Sequence, residues 1–216
     1  MPRHPKWRSG LAVVLRDFVS REILMPVELC SPRVVLRQWR DADYEPFAQL
    51  NADPHVMEHF PAVLSSAQSH AMADKIRGLI EPRGWGFWAA EHKTSGRFMG
   101  FIGLHVPEDA LPFQPCVEIG WRLARPFWGQ GLASEGARIA LAYAFEVLQL
   151  PSVVAFTALS NLRSQAVMRR LGMEREVQDF DHPALPDGHA LRRHCLYRLN
   201  RSQWVAGVSA APADSA

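Results

Sequence analysis

The chain has 216 residues, of which 48% are hydrophobic and 21% are charged, and its formal net charge at pH 7 is +2. This length and composition are typical of one globular domain with short appendages. The small net charge argues against nucleic acid as a partner, and no apolar run reaches the length that crosses a membrane, so we expect a cytoplasmic protein that binds neither nucleic acid nor membrane.

Cysteine spacing indicates neither a disulfide framework nor a zinc site. The three cysteines, Cys30, Cys116 and Cys195, lie far apart and form no C-x-x-C pair. Paired or clustered cysteines are the usual signature of both kinds of site. We therefore expect no metal, and the oligomeric state stays open between a monomer and a homodimer.

Both ends of the chain are expected to lie outside the main domain. The N-terminus imitates a secretory signal only faintly, because its apolar run Leu11–Leu15 is short and Arg16 interrupts it, so we expect no signal peptide. The last residues are rich in Ala, Ser, Gly and Pro and lack periodicity. The predicted organisation is an extension over 1–26, helical or disordered and with Met25 as an alternative start, a domain over 27–204, and a disordered tail over 205–216.

The first half of the domain predicts one strand, two helices and a hairpin. In chain order these are a strand over Val34–Trp39, a helix capped by Asp41 or Asp43 and ending near Leu50, a helix capped by Ser65 or Ser66 and ending near Ile80, and strands over Trp85–Glu91 and Phe98–Val106. The second half continues with strands over Val117–Leu123, Val153–Thr157 and about His194–Leu199, a helix from about Leu132 to Leu148, and a helix capped by Ser160 or Asn161 and closed by Gly172. This mixed order predicts one α/β (α+β) layered domain.

The most informative stretch is the loop between the Val117–Leu123 strand and the Leu132 helix. Gly129 and Gly131 allow successive backbone N–H groups to approach a bound diphosphate, and the N-terminus of the following helix adds the positive end of its dipole. Trp128 is expected to wedge this loop against the sheet. The pattern therefore predicts an anion-binding loop.

The spacing of the glycines excludes two common nucleotide sites. No Lys-Ser or Lys-Thr pair follows them, as a P-loop requires, and Ser134 stands where the dinucleotide fingerprint needs its last glycine. The run Trp128-Gly-Gln-Gly-Leu-Ala133 instead resembles the acyl-CoA signature Q/R-x-x-G-x-G/A of the GNAT N-acetyltransferases, with Trp in place of Gln or Arg. Two segments are similar to the branch of this family that includes the ribosomal-protein N-terminal acetyltransferases. They are Pro-Phe-Trp-Gly-Gln-Gly-Leu-Ala-Ser-Glu-Gly and the earlier Leu-Arg-Gln-Trp-Arg-Asp-Ala-Asp.

This resemblance implies the GNAT fold, a mixed and mostly antiparallel sheet that is splayed at the acyl-CoA site and flanked by helices. It also implies transfer of an acetyl group from acetyl-CoA to a primary amine, with both bound at once. The cofactor-binding residues that it implies are Ile119, Trp121, Leu123, Gly129, Gln130, Gly131, Leu132, Ala133, Ser134, Asn161 and Ser164.

Glu118 is the candidate catalytic base. It is the only carboxylate between Asp109 and Glu135, and it lies on the strand that leads into the anion-binding loop. A carboxylate on a central strand is costly unless it is paired or faces a wet cleft. A Glu at this place in the family deprotonates the amine directly or through water, whereas the structural alternative is an ion pair with an Arg such as Arg122.

Gly120 suggests a bulge or a splay, because a glycine inside a strand usually marks a departure from regular pairing. The family has its splay between this strand and the Val153–Thr157 strand, and a backbone N–H near Ile119 or Gly120 would polarise the thioester carbonyl there. The alternative is that Gly120 makes room for Trp121 or Trp128.

The segment Ser160–Met173 resembles the second CoA segment of the family. Asn161 and Ser164 are its implied cofactor contacts, although Asn161 also suits a simple helix N-cap. Met168 occupies the position that often holds a Tyr acting on the thiolate leaving group, so the sequence leaves water or Ser134 for that role.

The acceptor region is less specific than the cofactor segments. Glu58, His59 and Phe60 are candidates for its wall, and the acceptor is either a protein N-terminal amine or a small amine. Because fold does not determine function, a non-catalytic acyl-CoA-binding domain of the same fold is the competing hypothesis.

Overall fold

The computed structural model describes residues 26–210. Its strands are β1 Leu29–Cys30, β2 Val34–Arg37, β3 Phe87–His92, β4 Arg97–His105, β5 Glu118–Leu123, β6 Ser152–Ala158, β7 Glu174–Arg175, β8 Phe180–Asp181 and β9 Arg193–Asn200. Its α-helices are α1 Tyr44–Ala52, α2 Ser66–Ile80, α3 Leu132–Ala142, α4 Leu162–Arg170 and α5 Arg201–Ala210.

The strands form one sheet in the order β1-β2-β3-β4-β5-β6-β9-β7, and β8 also pairs with β9. Every pair is antiparallel except β5 with β6. The β3–β4 pair is the predicted hairpin, whose turn includes Gly96 at φ +64°. The predicted mixed, mostly antiparallel sheet is confirmed.

Alternating residues of β4 show which helices cover each face of the sheet. The ring of Phe101 lies 6.1 Å from the ring of Phe47 in α1, whereas Ile102 lies so close to Gly136 of α3 that a Cβ there would come 2.5 Å from its Cδ1. Neighbouring strand residues point to opposite faces. We call the two sides the α1 face, which α1 and α2 cover, and the α3 face.

The same alternation sorts the residues of β5. Arg122 is paired in register with Phe101, so its side chain lies on the α1 face, together with those of Glu118 and Gly120. Ile119 and Trp121 lie on the α3 face. The strand that leads into the anion-binding loop therefore contributes to both sides of the sheet.

The sheet opens between β5 and β6, which are joined through α3 in a crossover connection. Their register pairing in the described residues is limited to Glu118 with Val154, and the N–H of Val154 donates to the carbonyl of Val117 at 2.9 Å. Beyond this pair the two strands separate toward their C-terminal ends. The predicted splay is therefore present, at the end of β5 that precedes the anion-binding loop.

The bounds of several elements differ from the sequence prediction. Strand β3 begins at Phe87 and not at Trp85. The helix predicted to reach Leu148 is regular only to Ala142, and Tyr143–Val147 form a π-helical segment. Such single π-turns are tolerated within α-helices when tertiary packing favours them, and Tyr143 packs edge-on against Trp88 at 5.7 Å.

The C-terminal region continues further than we predicted. Helix α5 extends to Ala210 and so includes the first residues of the segment that the sequence suggested to be a disordered tail. Trp204 of α5 stacks on Phe145 with ring centroids 5.7 Å apart, and its Nε1 donates to Glu146 at 3.2 Å. Residues 211–216 and the predicted extension up to residue 25 lie outside the described part of the chain.

Candidate active site

One cavity of about 1450 Å³ lies at the gap between β5 and β6. Glu118 and Arg122 line it from the α1 face, and Ile119 and Trp121 line it from the α3 face. Because the strands separate here, the cavity connects the two sides of the sheet. Such an arrangement allows two substrates to approach each other from opposite faces.

The glycine-rich loop borders this cavity on the α3 face. Gly129 and Gly131 have φ values of +73° and +78°, in a region that residues with side chains rarely adopt. Gly131 is the N-cap of α3 and has no side chain that could accept from the first turn. The N–H groups at the start of α3 are therefore suited to an anion, and the cavity includes Leu132, Ala133 and Ser134 of that turn.

Trp128 fixes the loop to the sheet, as the sequence predicts. Its indole Nε1 donates to the carbonyl of Leu123 at 2.6 Å, and the guanidinium of Arg163 lies 4.8 Å from its ring centroid. Gln130 points elsewhere, since its amide donates to the carbonyl of Pro126 at 2.7 Å. All the predicted cofactor residues line the cavity except Gln130, which the structure does not bring into it.

Four arginines that the sequence analysis did not single out also line the cavity: Arg33, Arg138, Arg163 and Arg170. Arg33 comes from the turn before β2 and Arg138 from α3, whereas Arg163 and Arg170 lie on α4, within the predicted second cofactor segment, so no single motif contains all four. Their positive charges suit a phosphate-bearing ligand. The small net charge of the chain therefore does not indicate the group of arginines that line this cavity.

Arg33 also braces the anion-binding loop. It pairs with Glu135 at 2.6 Å and donates to the carbonyl of Gln130 at 3.0 Å. Burial alone would raise the pKa of Glu135, but hydrogen bonds from Ser31 and Arg33 outweigh it and hold that pKa below its ordinary value. The carboxylate in the first turn of α3 is thus neutralised by Arg33.

The second predicted cofactor segment begins α4. Asn161 is the N-cap of this helix, accepting from the N–H of Ser164 at 3.1 Å and donating to Thr157 at 2.9 Å. The predicted N-cap role is therefore present, and Asn161 and Ser164 also line the cavity. Met168, at the position of the family's usual Tyr, is 2% exposed and has no group that could donate a proton.

Glu118 is half-buried on the α1 face and borders the cavity. The ion pair with Arg122 that we considered is not formed, because Arg122 donates instead to Asn51 at 2.6 Å. Burial raises the pKa of Glu118 to about 8, and the nearby charge of Asp109 adds to this effect. A carboxyl group with such a pKa can accept and release a proton near neutral pH.

Gly120 does not mark a bulge, so that part of the prediction is wrong. It pairs in regular register with Gly103, and the irregularity in this part of the sheet lies between Ala90 and Glu91. A Cβ on Gly120 would come 3.0 Å from the ring of Phe87. The glycine therefore makes room for Phe87, and neither Trp121 nor Trp128 requires it.

The wall of the cavity on the α1 face has two parts. The loop after α1 contributes Glu58, His59 and Phe60, as the sequence suggested, and His59 Nδ1 lies 3.3 Å from the hydroxyl of Ser160 across the opening. The other part was not predicted and contains Phe156, His182 and His194. The rings of His182 and His194 lie 5.0 Å apart, and burial lowers the pKa of both.

Two further features of residues 26–210 concern metal ligands and membrane-spanning helices. In this part of the chain no group of three or more His, Cys, Asp or Glu side chains is arranged to hold a metal ion. No helix there is long and apolar enough to span a membrane.

Comparison with known proteins identifies the family. Residues 33–174 match the family described as "Acetyltransferase (GNAT) domain". The chain is 32% identical over 147 residues to YkkB of Bacillus subtilis (strain 168), an alignment that covers 68% of this chain and 84% of that protein. It is also 34% identical over 126 residues to the FsC-acetyl coenzyme A-N(2)-transacetylase of Aspergillus fumigatus, covering 56% of this chain and 53% of that enzyme.

The fold is also that of solved acetyltransferases. The crystal structure of a GNAT-family acetyltransferase from Bacillus anthracis superposes with a TM-score of 0.68 at 22% identity, covering 82% of this chain and 99% of that one. At this identity the similarity concerns the fold alone, and it agrees with the family match. The chain belongs to the GNAT family and is an acetyltransferase.

Proposed function

We propose that this protein transfers an acetyl group from acetyl-CoA to a primary amine by direct attack while both are bound. The observation that carries the proposal is the cavity at the β5–β6 gap, which joins the anion-binding loop on the α3 face to Glu118 on the α1 face. GNAT acetyltransferases use acetyl-CoA, and the fungal relative has acetyl coenzyme A in its name.

The α3 face would hold the cofactor. The first turn of α3 and the glycines of the loop would receive the diphosphate, with Arg138 and Arg163 supplying positive charge and Arg33 bracing the loop. Asn161 and Ser164 are proposed as further contacts. The backbone groups of β5 that face the gap have no register partner on β6 beyond Glu118, so they are available to the pantetheine arm.

Glu118 is proposed as the base. Its carboxylate takes a proton from the bound ammonium group, and the neutral amine then attacks the thioester carbonyl to form the amide bond. A backbone N–H near Ile119 or Gly120 stabilises the developing oxyanion. The C–S bond then breaks as the attacking nitrogen gives up its second proton, and that proton reaches the thiolate through water or through Ser134, which lines the cavity and returns to its neutral form.

The acceptor is either a protein N-terminal amine or a small amine. The resemblance of the loop to the ribosomal-protein N-terminal acetyltransferases favours the first. The competing hypothesis is a non-catalytic acyl-CoA-binding domain. Under that hypothesis Glu118 lines the cavity without taking part in a reaction.

A screen of amine acceptors with acetyl-CoA, detecting free thiol, tests the proposed function. We expect turnover that increases with pH as Glu118 ionises near pH 8. Glu118→Gln should lower turnover at pH 7 by roughly 10²–10⁴-fold and recover part of it at high pH, where the free amine becomes abundant.

The matched control is Glu108→Gln, which removes an exposed carboxylate paired with Lys75. Calorimetry should give similar acetyl-CoA affinities for all three proteins. Equal turnover of Glu118→Gln and the parent at every pH would assign Glu118 a structural role. Tight acetyl-CoA binding with no turnover of any amine would favour the non-catalytic domain.

A further inference from the structure

The α1 face of the cavity contains a buried positive charge with no negative partner. Arg122 is 8% exposed and lines the cavity. Within residues 26–210 it forms no ion pair with any carboxylate. Burial lowers its pKa to about 10, which still leaves the guanidinium charged at neutral pH. A buried charge is costly unless it is compensated.

The contacts of Arg122 satisfy only one of its three nitrogens. Nη1 donates to Asn51 Oδ1 at 2.6 Å and approaches the sulfur of Met72 at 3.9 Å. Nε is buried without a hydrogen-bond partner, and the described residues provide none for Nη2. Phe60 and Phe101 flank the guanidinium, with ring centroids 3.9 and 5.4 Å from Cζ. Because Nε is enclosed, Nη2 is the nitrogen through which Arg122 can donate a charge-assisted hydrogen bond to a carboxylate in the cavity.

A second buried arginine shows how this fold neutralises a guanidinium that has only a structural role. Arg37 is 4% exposed and donates to both oxygens of Asp43, at 2.7 and 2.9 Å, and to one oxygen of Glu91 at 2.7 Å. Its charge is balanced within the protein. Arg122 is buried almost as deeply, yet its counter-charge is missing and its side chain borders the proposed acceptor site.

We infer that Arg122 binds an anionic group of the acceptor, so that the acceptor is an amine that also carries a carboxylate. Glu118 and Arg122 lie on the same face of β5, four residues apart, which corresponds to about 13 Å between their Cα atoms. One molecule can therefore present its amine near Glu118 and its carboxylate to Arg122. This inference deepens the proposed function and rests on it.

Two kinds of acceptor provide this chemistry. One is a free amino acid or a related small amino acid, and the other is a peptide whose N-terminal residue has an acidic side chain. The cavity residues beside Arg122 include Phe60 and Phe101, which would pack against the carbon skeleton of either. An amine without a carboxylate would leave Nη2 unpaired and the charge of Arg122 uncompensated in the bound state, and that costs affinity.

The test compares matched acceptors that differ only in the anionic group. In one arm, each proteinogenic amino acid is compared with its α-carboxamide. In the other, peptides that begin with Glu are compared with peptides that begin with Gln, all amidated at the C-terminus. For each pair we measure the ratio of kcat/KM for the acid to that for the amide. Comparing this ratio between parent and variant cancels differences in the basicity of the amines.

We expect Arg122→Gln to lower this ratio by about 10- to 100-fold, the range for hydrogen bonds to a charged group. Arg122→Lys should lower it less, because Lys keeps the charge but loses the planar fork. Arg77→Gln is the matched control, since Arg77 pairs with Asp41 on the exposed side of α2 and does not line the cavity. It should leave the ratio unchanged. The arm that shows the effect identifies the source of the carboxylate.

Equal ratios in the parent and in both Arg122 variants would overturn the inference while leaving the proposed function intact. If no amine is acetylated, the proposed function fails, and calorimetric titration of the same pairs into the CoA-bound parent still decides whether a carboxylate is preferred. That titration also covers the case in which Arg122→Gln fails to fold. Equal binding of acids and amides by the folded parent would exclude a carboxylate site at Arg122.

Discussion

At the scale of single residues, Glu118 illustrates a conflict between stability and chemistry. Burial of its carboxyl group in the cavity wall opposes ionisation. Arg122, the candidate partner on the same strand, does not compensate the charge because it donates to Asn51 instead. The protein therefore gives up stability whenever this group becomes charged. Functional sites commonly carry such a cost.

This conflict predicts a pH-dependent difference in stability between the parent and Glu118→Gln. The pKa of Glu118 is about 8 in the folded protein and about 4.3 in an unfolded chain. The unfolded state therefore loses its proton first, and the stability that Glu118 contributes at low pH is lost as the pH rises toward 8. Gln remains neutral throughout.

We therefore expect thermal melts at pH 5, 7 and 9 to show that the melting temperature of Glu118→Gln, relative to that of the parent, increases with pH. The expected change is on the order of 10 °C, since these pKa values correspond to roughly 4 kcal/mol between pH 5 and pH 9 and 1 kcal/mol shifts Tm by about 2–4 °C in a chain of this size. Titrations of other groups are shared by the two proteins and cancel. A constant difference in Tm across this range would mean that the pKa of Glu118 is not raised by folding.

Single residues also show where sequence patterns stop being informative. Alternation along β5 correctly predicted that Glu118 and Gly120 share a face, because that pattern depends only on the strand. The reason for Gly120 could not be predicted, since Phe87 reaches it from β3 across the intervening strand β4. A glycine pattern indicates that space is needed, but only the tertiary structure identifies the neighbour.

At the scale of elements, the anion-binding loop and the first turn of α3 together form the proposed diphosphate site. The loop was predictable because its glycines, the strand before it and the helix after it are contiguous in sequence. The arginines that surround it were not, because they belong to the turn before β2, to α3 and to α4. A loop whose residues are contiguous can thus be predicted from the sequence, whereas the arginines that line the same cavity are brought together only by the fold.

Gly131→Val should weaken acetyl-CoA binding by at least about tenfold, or 1.4 kcal/mol. The substituted residue would have to adopt a φ of +78° at the N-cap of α3, and its side chain would occupy the approach to the first-turn N–H groups. Within the protein a Cβ there is not blocked, since its nearest neighbour is Arg33 Nη2 at 3.6 Å. Calorimetry with acetyl-CoA measures the effect.

Gly172→Val provides the matched control, because Gly172 has the same φ of +78° at the C-terminus of α4, is open to solvent and does not line the cavity. Both variants should lose similar stability from backbone strain. Only Gly131→Val should lose acetyl-CoA affinity. Equal affinities in the two folded variants would remove the basis for a diphosphate site at this loop.

At the scale of the whole molecule, the acceptor wall arises from long-range pairing. Phe156 meets His182 and His194 because β6 pairs with β9 and β8 pairs with β9, and these strands are distant in sequence. No local periodicity encodes such a meeting. The sequence thus predicted the fold class and most of the residues that line the cavity on the α3 face, but only a part of those that line it on the α1 face.

The ends of the chain provide the last prediction. The sequence suggested that a chain from Met25 to Val205 would suffice for folding, because the preceding apolar run is short. The structure adds that the C-terminal limit must follow Trp204, whose ring stacks on Phe145 and whose indole binds Glu146. An aromatic pair is worth about 0.5–1.5 kcal/mol beyond the area that it buries.

We therefore expect Met25–Val205 to keep the melting temperature and acetyl-CoA affinity of the full chain, and a version that ends at Asn200 to melt several degrees lower. Trp204→Ala in the full chain should reproduce most of that loss, since it removes the same ring without shortening the chain. A large loss on removal of the first 24 residues alone would contradict the expectation for the N-terminus. It would indicate that the apolar residues between Leu11 and Ile23, which have helical spacing, dock on the domain or on a second subunit.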